Sequence, residues 1–301
     1  MSRPGSPQPA FTDVENGFDA WAHRRLDRTP STGAAAVLVE FLVFGLKQAW
    51  ACLFGALMLA IIVAARLWYP EDAIVARNDA VTIAAVVVQI VMLVARLERG
   101  RELVVILLFH VVGTVMELFK TGAGSWEYAD GGVLHIGAVP LFSGFMYAAV
   151  GSYMVRVFRL FDLRFDRYPP RWVTAIIAVA IYANFFTHHW LWDARYVLMA
   201  AVVVVFARCV MHFRIFRFRA RMPVLLAFVL VAVFIWFAEN IATLSDAWHY
   251  PNQHAGWELV SIGKLGSWFL LMIISVVLVT WIYRPQPLTV PPRDDRSESP
   301  R

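Results

Sequence analysis

The stretch ELFKTGAGSWEY (residues 117–128) recurs, with substitutions, as ENIATLSDAWHY (residues 239–250). Glu117, Thr121, Trp126 and Tyr128 reappear as Glu239, Thr243, Trp248 and Tyr250, each 122 positions later. The same offset takes Trp50 to Trp172 and Trp68 to Trp190. Trp21 aside, every tryptophan of the first half therefore has a tryptophan partner in the second. Tryptophan fills only 12 of 301 positions, so three coincidences on one offset are improbable by chance. Self-similarity at a fixed period marks an internal repeat, and it constrains the fold before any local element is assigned.

The remainder of the chain says what is repeated. It is 59% hydrophobic and 16% charged, too apolar for an ordinary soluble domain. Crossing a bilayer takes about 20 apolar residues. Runs of that order lie at roughly 49–67, 79–96, 102–119, 137–155, 172–190, 195–213, 223–241 and 262–282. The offset lays the first and third runs on the fifth and seventh, and the second on the sixth within about a turn. The fourth reaches the eighth after a four-residue insertion in the second copy. The expected fold is an all-α polytopic membrane protein of about eight transmembrane helices, arranged as a 4+4 parallel duplication.

Charge placement sets the expected orientation. Arg96, Arg99 and Arg101 separate runs two and three, five arginines from Arg156 to Arg171 separate four and five, and five from Arg208 to Arg221 separate six and seven. The alternate connections carry few basic groups. Basic loops stay cytoplasmic, which puts both termini inside and both copies of the motif outward. The net charge of +5 follows from this topology and gives no reason to expect nucleic acid. The lipid bilayer is the expected partner, and the oligomeric state is left open.

Residues 1–33 and 284–301, rich in Pro, Ser and Arg, are expected to be disordered cytoplasmic tails around two four-helix repeats, 34–165 and 166–283. The N-terminal segment has no apolar core of the signal-peptide kind. Residues 34–46 suggest an interfacial helix leading into the first span. Cys52 and Cys209 both fall within apolar runs and offer no disulfide framework.

Chemistry is sought first where ionisable groups meet apolar runs. A carboxylate inside a bilayer is costly and normally faces the bundle interior, so Glu117 and Glu239 are the candidate acid–base or proton-carrying pair. His110, Thr114, Glu117 and Thr121 follow i, i+4, i+7, i+11 spacing and share one helix face. The matching face of the second copy carries Glu239 and Thr243, with Asn240 beside them. His110 maps to Ala232, so the two glutamates sit in unequal surroundings, which is how acid and base roles separate. Tyr147, Asn184 and His188 are expected at the same end of the bundle, with Trp126, Tyr128, Trp248 and Tyr250 around it. Lys264 and Lys120 are each expected to neutralise a glutamate. Imidazoles and carboxylates on one side would suit a metal, with His188, His189 and His249 as candidate ligands, although no HxxxH or HExxH spacing occurs.

The strings LKQAWACLFG (46–55), GTVMELFKTGAGSWEY (113–128), VPLFSGFMYAAVGSY (139–153), IYANFFTHH (181–189), FAENIATLSDAW (237–248) and GKLGSWFLLMIIS (263–275) resemble the YoaT-like bacterial integral membrane proteins, grouped as domain of unknown function 817. The resemblance runs from about residue 40 to 282. It implies a protein of the bacterial cytoplasmic membrane and brings no activity with it. Glu117, Gly124, Trp126, Tyr128, Gly137, Val139 and Pro140 are also similar to a pattern in membrane carotenoid cyclases and hydratases, whose longer acidic and His-rich signatures are missing here.

Three functions fit these residues. The first is an intramembrane enzyme working by acid–base chemistry on a lipid or isoprenoid. The second is a proton-coupled transporter or exporter of a small molecule. The third is a scaffold whose repeated motif only packs two halves together.

Overall fold

The computed structural model describes residues 11–26, 32–98, 100–129 and 131–288. Ten α-helices lie among them. The first two are α1 (Asp13–Leu26) and α2 (Ala34–Ala51), followed by α3 (Leu53–Trp68), α4 (Arg77–Val94), α5 (Arg101–Gly122) and α6 (Phe142–Leu160). The remainder are α7 (Arg171–Thr187), α8 (Arg195–Phe206), α9 (Val224–Leu244) and α10 (Lys264–Ile282). Each of the eight apolar runs thus carries one helix, α3 to α10. Five helices are long and apolar enough to cross a membrane: α2, α4, α5, α9 and α10. Helices α3, α7 and α8 are apolar but shorter.

Proline punctuates two of the starts. Pro170 and Pro223 each stand just ahead of a helix with extended ψ of 134°. There the missing N–H costs nothing, because the first helical donors have no intrahelical acceptor. Only Cys52 separates α2 from α3, so the segment expected at the interface runs almost directly into the next helix.

Helices α5 and α9 end at Gly122 and Leu244, and α6 and α10 span 142–160 and 264–282, both at the 122-residue offset. The four-residue insertion expected in the second copy is therefore not needed. It arose from starting run four at residue 137, where the structure has a short hairpin of β1 (His135–Ile136) and β2 (Val139–Pro140). Packing follows the same scheme twice. Helix α6 lies against α3, α4 and α5, while α10 lies against α7, α8 and α9, and the halves meet through α6–α10, α5–α10 and α3–α9. Gly113 permits a close approach of α5 and α6, since a Cβ there would overlap the Tyr147 ring.

Three further expectations are corrected. Run six does not remain helical to residue 213. Helix α8 stops at Phe206, and the alternating sequence Val210–Arg214 forms a strand instead. In full, β3 (Arg164–Asp166), β4 (Val210–Arg214), β5 (Arg219–Pro223) and β6 (Gln286–Pro287) make a sheet of order β5-β4-β3-β6, antiparallel except for β3–β6. Glu40 of α2 accepts the N–H groups of Phe216 and Arg217 in the β4–β5 turn, and Lys47 donates to the carbonyl of Leu160 at 2.8 Å.

Secondly, the N-terminal segment is not without structure, because residues 13–26 form α1. Residues 1–10, 27–31 and 289–301 lie outside the described residues. Thirdly, Arg156 and Arg159, expected in a cytoplasmic loop, are buried in the last turns of α6. Arg159 meets Glu15 of α1 (Nε to Oε2 2.7 Å, and a second guanidinium N–H to Oε1 at 2.9 Å) and also Glu102. Arg156 faces Glu98 at 3.6 Å, and Glu98 accepts from Gln89 and Ser152. Buried charges need partners, and this cluster provides them between α1, α5 and α6.

Candidate functional site

At the opposite end from the sheet, both repeated glutamates are buried, and every oxygen of each is met by a neutral donor. Glu117 accepts the Trp126 indole N–H and the Tyr128 hydroxyl on Oε2, and the Tyr147 hydroxyl on Oε1, all at 2.8 Å. Glu239 accepts the Tyr250 hydroxyl at 2.5 Å and the Trp268 indole at 2.7 Å. Phenol and indole hydrogens are the donors here, so both carboxylates act as hydrogen-bond acceptors. Tyr128 and Tyr250, in the segments following α5 and α9, have hydroxyls held well above the usual phenol range by burial and by the charge of the neighbouring glutamate.

These donors come from both halves and from loops as well as helices. The first turn of α4 fixes the first loop: Asp79 accepts the N–H groups of Val133 and Leu134, and Asn78 donates to the Ala129 carbonyl. Arg77 and Arg66 hold Asp246 of the second loop, through its carbonyl and its carboxylate, each at 2.7 Å. A backbone bridge between Glu127 and His249 then joins the loops.

Lys264 opens α10. Its ammonium lies over the Tyr250 ring at 4.1 Å and the Trp126 ring at 5.4 Å. The ion pair expected with a glutamate is not formed. Lys120 likewise turns to His189 (2.9 Å) and His188 (3.4 Å) and lies over Phe185. His188 Nδ1 is 3.0 Å from the Asn184 carbonyl, which makes it the N–H donor and leaves Nε2 to accept from Lys120. Burial and the Lys120 charge hold the His189 ring below the ordinary imidazole value.

A cavity of about 900 Å³ runs from these groups into the bundle. Glu117, Glu239, Lys120, Lys264, His188 and Arg195 line its polar end, and apolar side chains such as Met58, Phe185, Leu230, Val231, Phe234 and Met272 line most of the remainder. Along α9 its wall extends from Val224 to Ala242.

The structure brings Glu117, Glu239, Trp126, Tyr128, Tyr147, Trp248, Tyr250, Lys264 and His188 together around this cavity. It leaves others out. His110 packs edge-on against Phe145 between α5 and α6, away from the cavity. Thr121 donates back to the Glu117 carbonyl. Asn240 ties the Trp236 and Val260 backbones, Thr243 accepts from the Trp257 indole, and Asn184 bonds Asp193 and the Ala194 N–H. His249 faces Asp246 at 3.5 Å. The metal candidates His188, His189 and His249 do not converge, and among the described residues no group of three His, Cys, Asp or Glu could hold a metal ion.

Trp268 escaped the sequence reading. At the repeat offset it falls on Met146, while Tyr147 falls on Phe269. The donor moved by one residue between the copies, so the tryptophan pairing could not flag it.

No solved structure matches the chain. It is 42% identical over 236 residues to the uncharacterized protein YoaT of Bacillus subtilis (strain 168), covering 78% of this chain and 89% of that one. The family model described as "Protein of unknown function (DUF817)" matches residues 40–276. The chain belongs to that family, DUF817.

Proposed function

We propose that this is a multi-pass protein of the bacterial cytoplasmic membrane whose cavity takes a lipid or isoprenoid, with acid–base chemistry at its outward end. In this reading α3–α6 and α7–α10 are two copies of one four-helix unit, all eight helices cross the bilayer, and both termini are cytoplasmic. The shared helix bounds and the repeated packing scheme support the duplication. The arginine-rich sheet at one end and the aromatic residues at the other support the orientation.

The observation that carries the reading is the cavity itself, an apolar space ending at two carboxylates. Glu117 and Glu239 take and return protons, with Tyr128, Tyr147 and Tyr250 as hydrogen-bonded relays between carboxylate and cavity. Three donors on one glutamate against two on the other separate their proton affinities, the condition for one acid and one base.

Mass-spectrometric comparison of membranes and medium tests this in cells expressing wild type or the Glu117→Gln/Glu239→Gln double variant. A lipid or isoprenoid converted only by wild type is the expected result. One observation favours a second reading, proton-coupled transport: the cavity also reaches Phe213 and Met222 of the sheet at the far end. An unmodified molecule redistributed between cells and medium would select it. Identical extracts would leave the paired motif a packing role alone.

A further inference from the structure

Three cations line the cavity, Lys120, Arg195 and Lys264, against two carboxylates, Glu117 and Glu239. Lys120 is engaged by two imidazoles, and Arg195 lies 3.3 Å from Asp193. Lys264 alone among them has neither a hydrogen bond nor an ion pair: its ammonium touches ring faces, and the charges of Glu239 and Glu117 reach it only from beyond ion-pair distance. Among the described residues no carboxylate or hydrogen-bond acceptor is in contact with its ammonium. It also stands at the N-terminus of a helix, where the backbone dipole disfavours a cation. Its position at the head of an apolar cavity leaves its hydrogens to whatever enters.

The occupant's shape can be read from α9. Its cavity wall runs from Val224 to Ala242, and at 1.5 Å per residue that is about 27 Å, close to the ~30 Å hydrocarbon thickness of a bilayer. This is a slot for an extended chain. The two carboxylates do not compete for the head, since phenol and indole donors already hold all four of their oxygens. A cationic head would find the Trp126 and Tyr250 faces already covered by Lys264.

We infer that the slot holds an amphiphile with an anionic head, a carboxylate or a phosphate, seated on Lys264 with its chain along α9. This rests on the cavity being a lipid site, and needs no turnover. The head's charge satisfies the ammonium, and the Ser125 and Ser261 hydroxyls on the same wall offer further hydrogen bonds.

The full chain in detergent, titrated at pH 8 with oleate and farnesyl phosphate and with their uncharged counterparts oleyl alcohol and farnesol, tests this. Quenching of the slot tryptophans reports binding. Wild type should bind each anion at least about tenfold more tightly than its alcohol, a charge-assisted contact's worth. Lys264→Met should erase that ratio, and Lys264→Arg should retain most of it. The relative affinity for oleate and farnesyl phosphate tells which anion the site prefers. Equal binding of acid and alcohol by wild type, or an unchanged ratio in Lys264→Met, overturns the anionic head while leaving the lipid slot standing. No binding of any of the four sinks both. If Lys264→Met does not remain monodisperse, the wild-type ratio decides by itself.

Discussion

Glu127 and His249, 122 positions apart, exchange both backbone hydrogen bonds: the Glu127 N–H donates to the His249 carbonyl at 2.9 Å, and the His249 N–H returns the bond at 2.8 Å. The same position of each motif thus pairs with its counterpart. The bridge sets Trp126 beside Tyr250, with ring centres 6.1 Å apart, and Tyr128 beside Trp248, at 6.4 Å. Both loops are thereby held over the two glutamates as one unit.

Because the bridge is made by backbone, side-chain removal should matter little. His249→Ala is expected to melt close to wild type, its weak contact being a partly exposed one with Asp246. His249→Pro removes the donor and should cost about 1–3 kcal/mol. Thermal unfolding of the two variants in detergent checks the contrast, and equal melting temperatures would refute it.

Glutamine and alanine at the glutamates should behave differently. A glutamine at 117 can keep its oxygen toward Trp126 and Tyr128 and turn its amide to Tyr147, whose hydroxyl can rotate to accept. At 239 the same logic keeps oxygen on Trp268 and amide on Tyr250. Both Gln variants should therefore remain monodisperse while losing function. Alanine strands the indole donors without acceptors and should cost about 1–3 kcal/mol per orphaned group. Size-exclusion profiles of the four variants decide, and poor folding of the Gln pair would favour the packing role.

Glu15 makes α1 docking sensitive to acid. Burial pushes its carboxyl up, but the Arg159 hydrogen bond and charge, the Thr12 N–H and the Trp50 indole outweigh that and hold it below the ordinary value. A folded value below the unfolded one stabilises fully above the ordinary carboxylate range, and the contribution is lost as pH falls through the folded value. Hydrogen exchange in residues 13–26 should accelerate, relative to the intrinsic rate, as pH falls through that range. In Glu15→Gln the exchange should be faster throughout and lose this pH dependence.

The proposed orientation makes a labelling prediction. In a chain with Cys52 and Cys209 replaced, a cysteine at Gly131 should react with an impermeant thiol reagent in intact cells. One at Gly100 should react only after lysis. The reverse pattern would invert the topology.

Much of the candidate site is legible in the sequence. The glutamates, Trp126, Tyr128 and Tyr250 were marked by recurrence at one offset, because a hydrogen bond between a helix end and the following loop needs fixed sequence spacing. Tyr147, expected at this end of the bundle, and Trp268, which was not, lie on the next helix, where no local spacing binds a donor to the glutamate. Lys264 and Lys120 stand near helix ends at the level of the glutamates, a placement that suggests ion pairs across neighbouring helices. Packing instead turned them to aromatic faces and imidazoles.

By itself the sequence determined that the chain is mostly helical, with one helix on each of the eight apolar runs, and that one motif recurs 122 positions on, since apolar run length and motif recurrence are properties of the chain. The tertiary structure alone decided that Arg156 and Arg159 are buried with Glu15, Glu98 and Glu102, that Val210–Arg214 forms a strand rather than extending a helix, and that Lys264 faces a cavity with no ion pair of its own. The physical reason is common to all three. Whether a charge is solvated, paired or turned to a cavity depends on which segments pack around it, and those contacts join residues well separated in sequence, 57 positions for Arg159 and Glu102 and 144 for Arg159 and Glu15.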